Sequence, residues 1–388
     1  MNKLGIYIHW PYCISKCPYC DFNSHKLESY DSNNWLAAYK NQIEYFKEYL
    51  INENFKNKKL TSIFFGGGTP SLMQPRLIEQ ILLFINKVFH FDKNIEITLE
   101  SNPTNLELNK ISSFKSAGIN RISLGVQSLN DNDLKFLGRL HNIAETFDIL
   151  DLMQKKIENI SVDLIYALSC QNLKTWNQEL QAFLKRFSIK HLSAYQLVIE
   201  KGTKFYDLFN KGKLKTISDD KYKEFYFSTK NILKENKFDQ YEISNFSKHN
   251  YFSKHNTIYW KSDNWIGIGP GAISRIWNNK KERMEFENFK KPATWLKNCL
   301  CKRATLKKIL KIDFETSEHE ILMMGLRLNE GVDLNKLQNK SFLYKDGITK
   351  LQEEGIINIK KNKLIINENY FNVHDYIVKK IIDNYGSF

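Results

Sequence analysis

The sequence lacks any apolar run of about 18 residues, the length that a helix needs to cross a membrane. Its beginning, MNKLGIYIHWPYC, has an apolar stretch that is too short for a signal peptide. Internal repeats and low-complexity tracts are missing as well. These absences predict a cytoplasmic protein without a membrane-spanning segment.

Cysteine is scarce, with 6 in 388 residues, and the pattern is unlike the disulfide framework of a small secreted protein. Three cysteines lie together in CISKCPYC and the other three are distant. Acidic residues are also fewer than basic ones, 43 against 57, which gives a net charge of +14. An excess of this size can indicate a nucleic-acid partner. Because the lysines are spread along the chain, we favour a solvated surface and predict no nucleic-acid partner.

Short β-rich runs alternate with helix-like segments, a pattern typical of parallel βαβ units. Six strands are predicted, at 5–9, 61–65, 95–100, 121–126, 161–166 and 191–197. The intervening helices are predicted at 35–50, 75–88, 106–116, 144–155 and 176–187. Six units are too few for a closed eight-stranded barrel. We therefore predict an α/β fold with a partial (β/α)6 barrel.

Three regions are expected from changes in this pattern. Residues 1–200 form the barrel core, 201–316 an edge region and 317–388 a small winged-helix-like α+β module. In the edge region, GIGPGAISR predicts a broken strand that closes the edge of the sheet. In the module we predict two helices (318–328 and 342–355), a hairpin that turns at Lys361 and Asn362, and a final helix. We favour packing or a lid over DNA binding as the role of this module, because no basic recognition helix stands out in it and fold does not fix function.

Polar or glycine residues follow the carboxyl ends of five predicted strands, where parallel α/β folds build their sites. They are His9, the glycines of GGGTP, Glu100, Gln127 and Asp163. The cysteine loop follows the first of these strands. Because these residues come from the ends of five strands, we expect them to form a single functional site.

The cysteine triplet, Cys13, Cys17 and Cys20, supplies three soft thiolate ligands, whereas structural metal sites normally have four. An iron–sulfur cluster held by three thiolates leaves one iron open to another ligand. The alternative is a zinc site completed by His9 or His25.

The spacing C-x3-C-x2-C after a first strand resembles the radical S-adenosylmethionine (SAM) superfamily, and GGGTPS resembles its glycine motif. The resemblance implies a 4Fe-4S cluster whose open iron chelates the amino and carboxylate groups of SAM. It also implies contacts to SAM from Tyr7, Gly67, Gly68, Thr69, Glu100, Gln127, Arg139 and Asp163. For Arg139 the alternative is an exposed helix arginine.

Further motifs resemble the family around oxygen-independent coproporphyrinogen III oxidase: YIHWPYC, GVQSL, LGRLH and VDLIYALS. The oxidases carry a fourth cysteine where this chain has Phe22, and a longer segment before the cluster. Residues 255–260, HNTIYW, instead match the HNxxYW signature of the heme-chaperone branch of this family.

That signature implies heme binding. His255 offers an imidazole as an axial iron ligand, Asn256 could orient it, and Tyr259 and Trp260 supply flat apolar surface. The alternative is a polar core segment with its aromatics packed inward. His249 is a second candidate ligand, although a surface histidine is the better interpretation, and His141 is expected to shape the site rim.

The leading hypothesis is therefore a heme chaperone that carries the cluster and SAM and delivers heme to apo-proteins of the respiratory chain. The alternative is an enzyme that decarboxylates coproporphyrinogen III to protoporphyrinogen IX. Nucleic-acid modification is a third and weaker hypothesis, prompted by the charge and the winged-helix-like tail. A homodimer and peripheral membrane association through a partner stay open.

Overall fold

The computed structural model describes residues 3–53, 59–104, 109–302 and 305–385. Its centre is a row of six parallel strands that neighbour one another in chain order. They are β1 (Lys3–Trp10), β2 (Lys59–Gly67), β3 (Phe91–Ser101), β4 (Arg121–Gln127), β5 (Asn159–Tyr166) and β6 (His191–Gln196). All six predicted strands are confirmed, and the fold is the expected partial barrel.

Helices connect these strands and cover the outer face of the barrel. They are α1 (Ser32–Asn52), α2 (Pro75–Phe89), α3 (Ile111–Ser116), α4 (Asp131–Phe136), α5 (Ile143–Met153) and α6 (Leu173–Arg186). Local sequence explains their starts: Pro75 occupies the first turn of α2, and Asn142 with Glu145 forms a capping box at α5. The predicted helix at 106–116 is observed from Ile111, and its beginning at 106–108 lies outside the described residues.

Alternation along the strands separates an apolar outer face from a polar lumen. In β4, Ile122 and Leu124 belong to the buried apolar core, whereas Arg121 and Ser123 line a cavity inside the barrel. The other strands repeat the pattern, because successive side chains of a strand point to opposite faces. Burial of each apolar side chain in this outer layer contributes about 1.5–3 kcal/mol, before the entropy cost of ordering it.

The edge region extends both sides of this sheet, which has 12 strands within the described residues. Beyond β6 lie the short strands β7 (Asp239–Gln240) and β8 (Asn245–Ser247). Beyond β1 lie β9 (Asn264–Ile268), which is parallel to β1, then β10 (Ile273–Trp277), β11 (Arg283–Glu287) and β12 (Lys308–Lys311). The helices here are α7 (Lys204–Asn210), α8 (Asp219–Glu235), α9 (Lys254–Trp260) and α10 (Pro292–Cys301).

The prediction for GIGPGAISR was wrong in detail. The segment contributes to two strands, β9 and β10, and does not close the edge of the sheet. Gly269 and Gly271 have φ of 106° and 76°, and this left-handed backbone turns the chain back on itself.

The C-terminal module comprises α11 (Phe314–Gly325), α12 (Asp346–Glu353), α13 (His374–Tyr385) and a three-stranded sheet. Its strands are β13 (Val332–Asp333), β14 (Ile357–Lys360) and β15 (Lys363–Ile366). The predicted hairpin is confirmed, with positive φ at Lys361 and Asn362. The helix predicted at 342–355 is divided, because Ser341–Tyr344 forms a 3-10 turn and Lys345 is extended. The domain boundaries at 200 and 316 stay predictions.

No helix in the described part of the chain has the length and apolar character to cross a membrane.

Candidate functional site

The cysteine loop leaves the carboxyl end of β1 and lines a cavity of about 480 Å³. All three clustered cysteines face this cavity and are half-buried. The Thr69 hydroxyl donates to Cys13 Sγ at 3.4 Å, and Arg139 Nη1 donates to Cys17 Sγ at 3.5 Å. Burial raises the pKa of Cys13 and Cys20. These donors stabilise the thiolate forms of Cys13 and Cys17, which are the forms that bind metals.

The glycine loop packs directly beneath the cysteine loop. The Gly68 N–H donates to the Trp10 carbonyl at 2.7 Å, and the Thr69 N–H donates to the Tyr12 carbonyl at 2.8 Å. A Cβ on Gly68 would lie 2.6 Å from that Tyr12 oxygen, so only glycine permits this approach. The glycines were expected to contact SAM, and Gly67 and Gly68 do line the cavity. Their N–H groups, however, already donate within the protein, that of Gly67 to the Glu100 carboxylate and that of Gly68 to the Trp10 carbonyl.

Two carboxyl groups, Glu100 and Asp163, project from β3 and β5 into the same cavity. Glu100 accepts a hydrogen bond from the Gly67 N–H at 3.1 Å, and Asp163 accepts one from the Ser123 hydroxyl at 3.0 Å. Burial, and then the nearby Asp163 carboxylate, raises the pKa of Glu100 to about 8. Burial also raises the pKa of Asp163. Such a pair can receive an ammonium or ribose hydroxyls.

Arg139 and Gln127 also line the cysteine cavity. Arg139 follows α4 and donates through Nη2 to the Asn102 side-chain oxygen and to the Gly125 carbonyl at 3.0 Å. It is therefore a cavity residue and not the exposed helix arginine of the alternative. Gln127 ends β4 with φ of 69° and lines the cavity. Its backbone is in the left-handed region that non-glycine residues seldom adopt, a feature that is frequent at functional sites.

Tyr7 and His255 face a second, inner chamber of about 210 Å³. Its walls share Glu100, Ser123 and Asp163 with the cysteine cavity, so the two spaces adjoin. The Tyr7 hydroxyl is 3.1 Å from His9 Nδ1. The structure therefore brings ten of the twelve predicted site residues into one cavity and sets Tyr7 and His255 behind it; their roles as ligands stay predictions.

Helix α9, which contains HNTIYW, closes the inner chamber. His255 is 1% exposed, and both of its ring nitrogens are engaged: Nδ1 with the Ser62 hydroxyl at 2.8 Å and Nε2 with the Tyr259 hydroxyl at 2.7 Å. Burial lowers the pKa of His255 to about 3. The expectation that Asn256 orients this imidazole was wrong, because Ser62 and Tyr259 occupy both nitrogens.

Trp260 points away from His255. It lines a cleft of about 150 Å³ between α9 and the C-terminal module, where the Arg327 guanidinium lies 4.5 Å from its ring centroid. Tyr259 instead faces the inner chamber. The two aromatic rings of the signature therefore do not form one flat surface in this conformation.

The zinc alternative receives no support from the neighbouring histidines. His9 Nε2 is 2.9 Å from the Asn23 carbonyl, and His25 is exposed. Over residues 3–53, 59–104, 109–302 and 305–385, no three His, Cys, Asp or Glu groups form a set that could hold a single metal ion. His141, whose Nε2 is 3.1 Å from the Val126 carbonyl, lies beside Cys17 in a small adjoining cavity. His249 is exposed.

Sequence reasoning missed Arg121, Asn102, Asn23 and Tyr195. Arg121 and Tyr195 could have been found from the two-residue period of their strands, which assigns them to the lumen. Asn23 donates to the carbonyls of Pro270 and Lys290 at 3.0 and 2.9 Å, and no local pattern indicates these partners.

The donor set fits the groups that the pattern implies. Three thiols would hold the cluster, and one iron would remain for SAM. The cavity beside them offers a close backbone approach at Gly67 and Gly68, two carboxyl groups and a guanidinium. These groups complement a ligand that has an ammonium, a carboxylate and ribose hydroxyls.

Comparisons with known proteins agree with this geometry. Residues 7–182 match the Radical SAM superfamily. The solved structure of coproporphyrinogen III oxidase (HemN) from Escherichia coli, described as a radical SAM enzyme, superposes with a TM-score of 0.78 at 16% identity and covers 100% of this chain and 90% of that one. At this identity the match shows the fold alone. Fold and cysteine loop together define a radical SAM protein.

Sequence relatives narrow the family. The heme chaperone HemW of Haemophilus influenzae is 34% identical over 90% of this chain and 88% of its own, and that of Lactococcus lactis is 31% identical over 93% and 90%. A zebrafish (Danio rerio) relative named radical S-adenosyl methionine domain-containing protein 1, mitochondrial, is 35% identical over 85% of this chain and 74% of its own. The chain belongs to the HemW family of radical SAM proteins.

Proposed function

We propose that this protein is a heme chaperone that binds heme and a SAM-ligated 4Fe-4S cluster and transfers heme to apo-proteins of the respiratory chain. The observation that carries the proposal is the similarity to proteins named heme chaperone HemW along most of the chain. The HNTIYW segment at 255–260 and the absence of a fourth cysteine at Phe22 agree with it. We retain a cytoplasmic location, because the unpaired thiols need a reducing compartment.

In this proposal, Cys13, Cys17 and Cys20 hold the cluster, which supplies one-electron chemistry and a chelating iron when bound. Thr69 and Arg139 donate to two of the thiolates and keep them oriented. Glu100 and Asp163 receive the ammonium and ribose groups of SAM. The surrounding residues exclude bulk water and strengthen these polar contacts.

Heme binding at His255 requires a rearrangement of α9. The imidazole is buried, and a bond to iron needs one ring nitrogen to be released from Ser62 or Tyr259. Each of these hydrogen bonds contributes about 1 kcal/mol, which an iron–imidazole bond can offset. We therefore propose that α9 moves away from the barrel when heme binds.

Anaerobic titration of the reconstituted protein with hemin tests the proposal. We expect a saturable Soret shift in the wild type and in the matched control His249→Ala, and a weaker or absent shift in His255→Ala. Cluster absorbance recorded on the same samples shows whether each variant is folded. A wild-type protein without a saturable shift would remove the proposal.

The decarboxylase alternative is checked separately. Protein, coproporphyrinogen III, reductant and SAM are combined without oxygen, and protoporphyrinogen IX is measured. The proposal expects no turnover, whereas multiple turnovers would establish an enzyme in place of a chaperone. Self-association and membrane contact through a partner stay predictions.

A further inference from the structure

Helix α9 has different neighbours on its two sides. It has only seven residues, so it can move as a rigid unit. At about 100° per residue, His255 and Tyr259 lie on one side of the helix, and Trp260 with the following Lys261 lies on the other. The His255 side meets the barrel, where α9 contacts β1, β2 and β9 and the imidazole is 2.8 Å from the Ser62 hydroxyl.

The C-terminal module covers the other side of α9. Residues 326–331, which we call the module loop, join α11 to β13. The Arg327 guanidinium of this loop lies 4.5 Å from the Trp260 ring centroid, and the Glu330 carboxylate pairs with the Lys261 ammonium at 2.6 Å. Helix α9 therefore lies between the barrel and the module, and it can leave the barrel only if the module loop gives way.

The module loop is also attached to the edge of the barrel. Arg327 Nη2 is 3.5 Å from a carboxylate oxygen of Glu242, which is completely buried. Glu242 forms an isolated antiparallel bridge with Leu328, and the Asn329 N–H donates to the Tyr241 carbonyl at 3.0 Å. A single arginine thus connects the module, the barrel edge and α9.

This junction is incompletely hydrogen-bonded. Two of its buried donors, Trp260 Nε1 and Arg327 Nε, have no hydrogen-bond partner within the described residues. Unpaired buried donors lower the stability of the closed junction. Elsewhere on α11, Glu320 pairs with Arg275 of β10 at 3.0 Å. The module would therefore remain attached to the barrel when the loop separates from α9.

From these observations we infer that the C-terminal module is a latch, which holds α9 against the barrel through Arg327 and Glu330. The module loop must separate from α9 before His255 can bind iron, and this second statement rests on the proposed function. Such a latch reduces the apparent heme affinity in proportion to the fraction of molecules that are open. Weakening the latch therefore strengthens heme binding, whereas loss of a contact that only stabilises the fold would not.

Two variants of the full-length, anaerobically reconstituted protein weaken the latch. Arg327→Met keeps an apolar side chain on Trp260 and removes the charge. Glu330→Gln removes the ion pairs that this half-exposed carboxylate makes with Lys261 and Lys363, each at 2.6 Å. Without hemin, we expect amide hydrogen exchange in α9, followed by mass spectrometry, to be roughly threefold to tenfold faster in both variants.

The matched control is Arg186→Met. Arg186 also combines an ion pair with a ring contact, because it is 2.9 Å from Asp151 and its guanidinium lies 4.6 Å from the Phe147 ring centroid. These partners belong to α5 and lie away from α9. Exchange in α9 and hemin binding should both equal those of the wild type.

Hemin titration measures the second step. We expect the two latch variants to bind hemin roughly threefold to tenfold more tightly than the wild type, because more molecules are open before the ligand arrives. Coupling between two equilibria is reciprocal. Hemin should therefore speed hydrogen exchange in the module loop of the wild type.

Unchanged exchange in α9 of both folded variants would overturn the latch. Faster exchange together with unchanged or weaker hemin binding would overturn its control of heme binding. If Arg327→Met does not fold, Glu330→Gln decides both questions. A wild type that does not bind hemin would remove the proposed function, while the exchange rates of α9 would still decide whether the module holds the helix.

Discussion

The buried imidazole of His255 makes a specific prediction about pH and stability. Burial lowers its pKa from 6.5 to about 3, so it stays neutral in the folded protein across the physiological range. In the unfolded chain it takes up a proton as the pH falls below 6.5. The stability that depends on its neutral form is complete above pH 6.5 and is lost progressively as the pH falls toward the folded pKa.

The magnitude follows from this difference in protonation. Each pH unit below the unfolded pKa favours the unfolded state about tenfold per buried neutral histidine, which is on the order of 1 kcal/mol. Other groups oppose this trend: the raised pKa of Glu100 stabilises the fold as the pH falls through about 8. The pH dependence of the wild-type unfolding free energy alone therefore cannot be assigned to His255.

A comparison with His255→Gln isolates it, because the contributions of the other groups cancel. The variant loses stability at all pH values, since it lacks the imidazole between Ser62 and Tyr259. Its deficit should shrink by on the order of 1 kcal/mol between about pH 7.5 and about pH 5.5. Urea unfolding of metal-free protein, followed by tryptophan fluorescence, measures the deficit at each pH.

The control for this comparison is His249→Gln, which alters an exposed histidine. Its unfolding free energy should follow the wild-type pH curve. If the unfolding free energies of the wild type and His255→Gln ran parallel over the whole pH range, the reasoning would be refuted. His255 would then be protonated in the folded protein, and it could not be a neutral imidazole that is hydrogen-bonded through both nitrogens.

Two further predictions concern the cysteine loop. Gly68→Ala forces a Cβ against the Tyr12 backbone, so we expect about 1–3 kcal/mol of destabilisation and poor cluster reconstitution, measured by thermal unfolding and iron content. In the control Gly202→Ala the added Cβ meets nothing within 4 Å, although the φ of 84° strains an alanine; this variant should lose stability and still reconstitute the cluster. Asn23→Ala removes the side-chain amide that donates to the Pro270 and Lys290 carbonyls, two hydrogen bonds worth about 1 kcal/mol each. We expect faster amide hydrogen exchange in the cysteine loop; unchanged protection would show that these two bonds do not hold the loop in place.

Much of the barrel could be predicted because its signals are local. The β5 segment alternates apolar and polar residues from Ile160 to Leu164, and Asn142 and Glu145 mark the start of α5 within four positions. The cysteine triplet is similarly compact. GIGPGAISR was misinterpreted because its glycines were treated as breaks within one strand, whereas their positive φ values produce a reversal between two.

By itself, the sequence predicted the six strands and the cysteine triplet, because periodicity and short spacings are properties of neighbouring residues. Its resemblance to a known family pointed to further residues that line the cysteine cavity. Only the tertiary structure decided where HNTIYW lies. His255 meets Ser62 across 193 positions of chain, and Trp260 meets Arg327 of another module. The packing of α9 against β2 and against α11 sets these contacts, and the contact with β2 buries the imidazole that the pattern had presented as an open ligand.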